Sequence, residues 1–138
     1  MDKLKFLLLP FFFLNCQAQP NPNDIPLQEE LKNYKLETVA NGIPIPWGMA
    51  WTPDGSLLVT EKSGLLYRIK NGRKAQIKNV PEVYNQGQGG LLDIALHPNY
   101  TKNGWIYLTL ASSEGTGKGG NTQLIKDQHK NESLINIQ

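Results

Sequence analysis

The chain of 138 residues is 39% hydrophobic and 19% charged, with 13 Gly, 9 Pro and a single Cys. That balance fits at most one globular domain and excludes collagen, coiled coil, a disulfide knot and a long disordered tail. Fourteen Lys and Arg against twelve Asp and Glu leave a net charge of +2, and no run of like charges forms a basic stripe, so nucleic acid is not an expected partner.

The first residues read as an address. Lys3 and Lys5 precede the apolar run Phe6 to Leu14, the length of a signal-peptide core and far short of the roughly 20 residues a membrane-spanning helix needs. Cleavage after Ala18 predicts a signal peptide at 1–18 and export to the periplasm or beyond. In the competing reading Cys16 is the lipidated first residue of a lipoprotein, although Asn15 is larger than the residue usual before such a cysteine. Residues 19–35, with Pro20, Pro22 and Pro26, are expected to form a linker.

After Lys35 the chain becomes short β-rich runs punctuated by turn residues, and 36–138 is expected to be one all-β domain. Leu36 to Val39 alternates weakly. Trp47 to Trp51 ends at Thr52-Pro53-Asp54-Gly55, where proline presets a turn and glycine accepts its left-handed position. Ser56 to Glu61 turns at Lys62-Ser63-Gly64, and Leu65 to Ile69 runs into Asn71-Gly72, a hairpin signal from which Lys74 to Lys78 pairs back. Strands joined this tightly make an antiparallel meander.

The meander repeats. Ala50-Trp51-Thr52-Pro53-Asp54 is echoed by Ala95-Leu96-His97-Pro98-Asn99, 45 residues on. Gly55 to Thr60 aligns with Gly104 to Thr109 once Tyr100 to Asn103 is counted as an insertion. A period near 45 with about four strands per unit is the spacing of a β-propeller blade. The bare alternative is two Pro-turn hairpins in any β-sandwich. Propellers close with about 4 to 8 blades, more than this length holds, so the reading is the N-terminal part of a longer protein, with Leu134 to Ile137 as a strand cut short. The alternative is a small domain that completes a ring with identical copies.

Pro46-Trp47-Gly48-Met49-Ala50-Trp51, Pro53-Asp54-Gly55, Thr60-Glu61-Lys62-Ser63-Gly64 and above all Gly87-Gln88-Gly89-Gly90-Leu91-Leu92-Asp93-Ile94-Ala95-Leu96-His97-Pro98 resemble the opening of the glucose/sorbosone dehydrogenase family, in order from about Leu36 to about Asp127. The resemblance implies a six-bladed propeller of four-stranded antiparallel blades, with about the first two present. It also implies an enzyme that oxidises aldoses at the anomeric carbon to lactones, with pyrroloquinoline quinone (PQQ) as hydride acceptor, Ca2+ beside it and an external electron acceptor. The family's histidine base and most of its cofactor contacts do not map onto this chain, so no catalytic residue is assigned, the quinone ligands are unknown, and the chain alone is expected to be inactive. A non-catalytic propeller binding a sugar or a protein partner is the alternative function.

One family residue maps. Gln88 corresponds to a glutamine near the sugar in relatives. A carboxamide offers both donor and acceptor to a hydroxyl, and glycines at 87, 89 and 90 let backbone approach a ligand; the plain alternative is a turn glutamine bonding its own loop. Other candidates are weaker. Asp93 and His97 share a strand face but lie about 13 Å apart; His97 is expected to cap the strand end and Asp93 to satisfy a neighbouring blade's amides or an arginine. Glu61 can face the channel or end its strand. Trp47, Trp51 and Trp105 can stack on sugar or pack the blades. Lys118-Gly119-Gly120 lacks the pattern of a phosphate loop and reads as a hairpin tip, and His129 reads as part of a polar Asp127 to Lys130 hairpin. Asn99 and Asn131 open glycosylation triplets.

Overall fold

The computed structural model describes residues 34–114 and 119–138. The expected signal peptide, Cys16, most of the expected linker and Lys118 lie outside them. Glu37–Gln138 form one compact unit, built from two four-stranded antiparallel sheets. The first runs β1 (Pro46–Trp51), β2 (Leu57–Glu61), β3 (Leu65–Lys70) and β4 (Arg73–Ile77), each paired with the next. The second repeats the plan with β5 (Leu91–Leu96), β6 (Trp105–Ser112), β7 (Asn121–Lys130) and β8 (Ser133–Leu134). These are the two expected blades. Among the described residues, no helix is long and apolar enough to cross a membrane.

Local chemistry sets the turns. Between β1 and β2 the Thr52 amide donates to Ser56 O at 2.8 Å, and the Asp54 carboxylate accepts from the Thr52 hydroxyl and the Ser56 amide. Asn71 and Gly72 take φ of 50° and 72°, the two left-handed residues that a tight hairpin with the strands' own twist demands. In the second sheet the matching connection carries the insertion read at Tyr100 to Asn103, which forms the short helix α1 (Tyr100–Asn103).

The repeat goes deeper than its turns. β1 carries a bulge between Pro46 and Met49, and β5 carries one between Leu91 and Ile94, at the same 45-residue spacing. A bulge leaves an amide out of the ladder, and a threonine on the neighbouring strand meets it each time. Thr60 Oγ1 accepts from the Gly48 amide at 2.8 Å, and Thr109 Oγ1 accepts from the Asp93 amide at 2.9 Å.

Three expectations change. Leu36 to Val39 forms no strand, and its large side chains stay exposed. Asp127 to Lys130 is not a hairpin but the end of β7, because Ile125 and Asp127 alternate inward; the turn comes at Asn131, with φ of 57°. Leu134 to Ile137 is regular strand only as far as Leu134, after which the chain bows out and Gln138 rejoins Lys126 through two backbone bonds of 2.9 and 3.0 Å.

The sheets pack face to face. Leu58, Leu66 and Ile77 from the first join Leu91, Ile94, Ile106, Leu108, Leu110, Ile125 and Leu134 from the second in one buried cluster. Their outer edges are tied where Lys78 exchanges backbone bonds with Glu132 and Leu134. On the opposite face of the first sheet, Leu57, Val59 and Ile69 form a second, smaller cluster against which Ala40 and Ile43 pack. Alternation along β1 turns Gly48 and Ala50 toward the second sheet, so Met49 and Trp51, opposite Val59 and Leu57, fall on that outer face, 64% and 59% exposed, while Trp47, within the bulge, is 45% exposed. Neither Trp47 nor Trp51 is therefore core in this chain. Trp105 is half-buried, with the Lys126 ammonium 4.1 Å from its ring centre.

Candidate functional site

Gln88 lies on the connection from β4 to β5, at the strand ends opposite the Thr52 to Ser56 turn. Backbone bonds hold this loop on both sides: Tyr84 N to Ala111 O at 2.7 Å, Ala111 N to Gly90 O at 2.8 Å, Leu91 N to Lys62 O at 3.0 Å, and internally Gly89 N to Gln86 O at 2.8 Å. Gly90 has φ of 147°, and a Cβ there would strike the Lys62 carbonyl; one on Gly89 would strike the carbonyl of Tyr84. These two glycines therefore admit the chain's own backbone rather than a ligand, and Gly87 alone faces open space. The Gln88 side chain projects from this fixed base, exposed and without a hydrogen bond among the described residues, so its carboxamide is available to a hydroxyl group.

The segment Thr60-Glu61-Lys62 borders the loop. Glu61 is buried, 3% exposed, and its carboxylate accepts from the Ser63 amide at 3.1 Å and from the Ser63 hydroxyl. It closes the turn and does not face an open channel. Lys62 donates through Nζ to Asn85 Oδ1 at 2.8 Å, the cation that the described residues place against the Gln88 loop. Thr60, fully buried, carries no mark in the sequence beyond that of a strand residue, yet its hydroxyl donates to Leu92 O at 2.5 Å, across from one sheet to the other.

The structure does not bring Asp93 and His97 together. Asp93 accepts from the next amide, Ile94, at 2.8 Å, so it satisfies its own bulge rather than the neighbouring blade. His97 caps the strand end as expected, Nδ1 accepting from the Asn99 amide at 2.9 Å. At the same end a cleft of about 400 Å³ opens between the sheets, lined by Asp54, Arg68, Tyr100 and His129. Asp54 Oδ2 meets Arg68 at 2.8 Å and Lys70 at 2.7 Å; the Lys70 ammonium first, then the Thr52 hydroxyl, hold its carboxyl well below the usual range. His129 Nε2 donates to Asn131 O at 2.7 Å, which leaves Nδ1 to accept from the Tyr100 hydroxyl at 2.6 Å. Burial lowers the pKa of His129 and raises that of Tyr100. With both ring nitrogens engaged, His129 is a structural link at the end away from Gln88.

Asp127 is wholly buried. Its Oδ1 accepts from the amides of Gln128 and Asn136, and its Oδ2 has no partner among the described residues. No three acidic, histidine or cysteine side chains among the described residues gather into a group that could hold a metal ion. One ammonium already bound to Asn85 is likewise no cradle for a quinone bearing several carboxylates.

The family profile described as Glucose / Sorbosone dehydrogenase matches residues 43–138. The chain is 28% identical over 123 residues to an aldose sugar dehydrogenase of Escherichia coli, covering 87% of this chain and 31% of that protein. It is 29% identical over 97 residues to quinoprotein glucose dehydrogenase B of Acinetobacter calcoaceticus, covering 62% and 20%. Among solved structures, the PQQ-bound aldose sugar dehydrogenase from Streptomyces coelicolor superimposes with a TM-score of 0.66 at 32% identity, over 75% of this chain and 31% of that one. The chain thus spans less than a third of the length of each of these relatives.

Proposed function

Because the chain belongs to the glucose/sorbosone dehydrogenase family, we propose that its two blades form the opening part of an exported quinoprotein that oxidises aldoses at the anomeric carbon to lactones, with Gln88 as a sugar contact. PQQ supplies the hydride acceptor in such an enzyme, and an external acceptor then takes the electrons. This chain's own contribution is orientation: the Gln88 carboxamide can donate to one sugar oxygen and accept from a neighbouring hydroxyl. Holding a substrate in one pose is itself worth a substantial part of a barrier. The observation that carries the reading is the free carboxamide of Gln88 on a loop fixed by backbone bonds at both flanks. No step is assigned to calcium or to a histidine base, since no residue of this chain is assigned to either role.

The test is a chimera in which residues 43–138 replace the matching segment of the Streptomyces coelicolor enzyme, assayed by dye reduction with PQQ and several aldoses. The chimera should turn over, and Gln88→Ala should lower kcat/KM by about 1–3 kcal/mol of transition-state binding. An unchanged ratio across all the sugars would refute the role of Gln88. The 138-residue chain alone, given PQQ, calcium and glucose, should stay at the no-protein background; turnover there would place a complete site within these two blades.

A further inference from the structure

The Gln88 loop is anchored to the first sheet through the end of β2, the part of Thr60-Glu61-Lys62-Ser63-Gly64 to which the reaction gives no task. Thr60 is fully buried, and its hydroxyl has two different partners. It accepts from the Gly48 amide at 2.8 Å, inside its own sheet, and donates to Leu92 O at 2.5 Å, in the other. The carbonyl of Gly48 is a more distant neighbour at 3.3 Å, so the single hydroxyl proton belongs to Leu92. Two residues on, Lys62 O accepts from Leu91 N at 3.0 Å. The amide of Leu91 and the carbonyl of Leu92, the first residues after the Gly87 to Gly90 run, are thus both held by the end of β2 and the turn residue that follows it.

We infer that Thr60 is a positioning residue for the Gln88 loop, acting with the Lys62 carbonyl as a staple between the blades. The parallel in the second blade sharpens this. Thr109 accepts from the Asp93 amide just as Thr60 accepts from Gly48, so clamping the bulge is the repeated task, and the bond to Leu92 is what Thr60 adds. The close approach of the sheets makes that bond possible: a Cβ at Gly48 would run into the Asp93 carboxylate and backbone. Val at position 60 would fill the same space while leaving a buried amide and a partly buried carbonyl without that partner. The sugar-orienting purpose of the staple rests on the proposed role of Gln88; the staple itself does not.

Amide hydrogen exchange on the dilute 138-residue chain, read by mass spectrometry, tests it with Thr60→Val and Thr60→Ser. Thr60→Val should speed exchange in peptides covering 84–92 by about tenfold, the effect of an unsatisfied buried pair, and leave the β6–β7 ladder unchanged. Thr60→Ser, which keeps the hydroxyl, should restore the original exchange. Gly90→Ala, which presses on the Lys62 carbonyl without touching Thr60, should loosen the same peptides. Unchanged exchange at 84–92 in Thr60→Val, a uniform rise across both sheets, failure of Ser to restore protection, or no response to Gly90→Ala would each overturn the proposal. An inert Gln88→Ala in the sugar assay would instead sink the functional reading and leave the exchange result standing.

Discussion

Met49 and Ile94 occupy the same position in the two blades, three residues past the start of bulged strands that lie 45 residues apart. Ile94 is 5% exposed and Met49 64%. The backbone around them is the same, so local structure does not set the difference. Ile94 faces the first sheet and joins its core, whereas Met49 faces outward, with the Glu37 to Ile43 segment beside it among the described residues. A blade's fold is written in its own sequence, but the burial of its face is decided by the blade that precedes it.

The comparison breaks most visibly under truncation. Ile94→Ala should cost about 2–5 kcal/mol, the price of a cavity between two packed sheets, while Met49→Ala at the equivalent site should stay within about 0.5 kcal/mol. Urea unfolding of the two variants decides it. Equal losses would mean that the outer face of the first sheet is covered in solution.

The threonine pair sharpens it at a smaller scale. Thr109→Val frees only the Asp93 amide and should cost about 0.5–1.5 kcal/mol, whereas Thr60→Val strands groups in both sheets and should cost about 1–3 kcal/mol. Thermal unfolding that ranks Thr109 above Thr60 would contradict the bridging role of Thr60.

These contrasts mark what the sequence could disclose. The meander, its turns and the insertion at Tyr100 to Asn103 were legible because each rests on local chemistry: Pro53-Asp54-Gly55 and Asn71-Gly72 bend the chain by themselves. Gln88 was legible as a candidate through its glycine-flanked motif. What stayed hidden depends on partners distant in the chain. Thr60 looks like any β-branched strand residue until Leu92 arrives 32 positions later. Trp47 and Trp51 read as core because an aromatic at a strand position carries no mark of which neighbour will cover it. Asp127 to Lys130 read as a hairpin because four polar residues hide the inward alternation of Asp127, whose Oδ1 accepts from the neighbouring Gln128 amide and from Asn136 where the chain returns.

The smallest expected effect comes from the connection that follows the first strand of each blade, where the two blades differ. The turn after β1 is closed by Asp54, and the matching connection after β5 holds α1, which sets the Tyr100 hydroxyl against His129. The two sites respond to pH in separate windows. Asp54 has its folded pKa depressed by Lys70 and Thr52, so its contribution is complete above the ordinary carboxylate pKa near 4 and fades only as pH falls below that. Its side chain is 47% exposed, and solvent screening keeps the ion pairs to about 0–1 kcal/mol. His129 is half-buried with its pKa lowered by desolvation. Below about pH 6.5 the unfolded chain takes up a proton that the folded chain resists. Stability therefore declines as pH falls from neutrality toward 5, before Asp54 begins to titrate. Replacing His129 with Gln, which can still meet the Tyr100 hydroxyl, should flatten the stability profile between pH 7.5 and 5, with Asp54→Asn leaving that window unchanged. Denaturant midpoints measured across the range check both, and a wild-type midpoint that rises on acidification would show that His129 gains a proton more readily in the folded state than in the unfolded one.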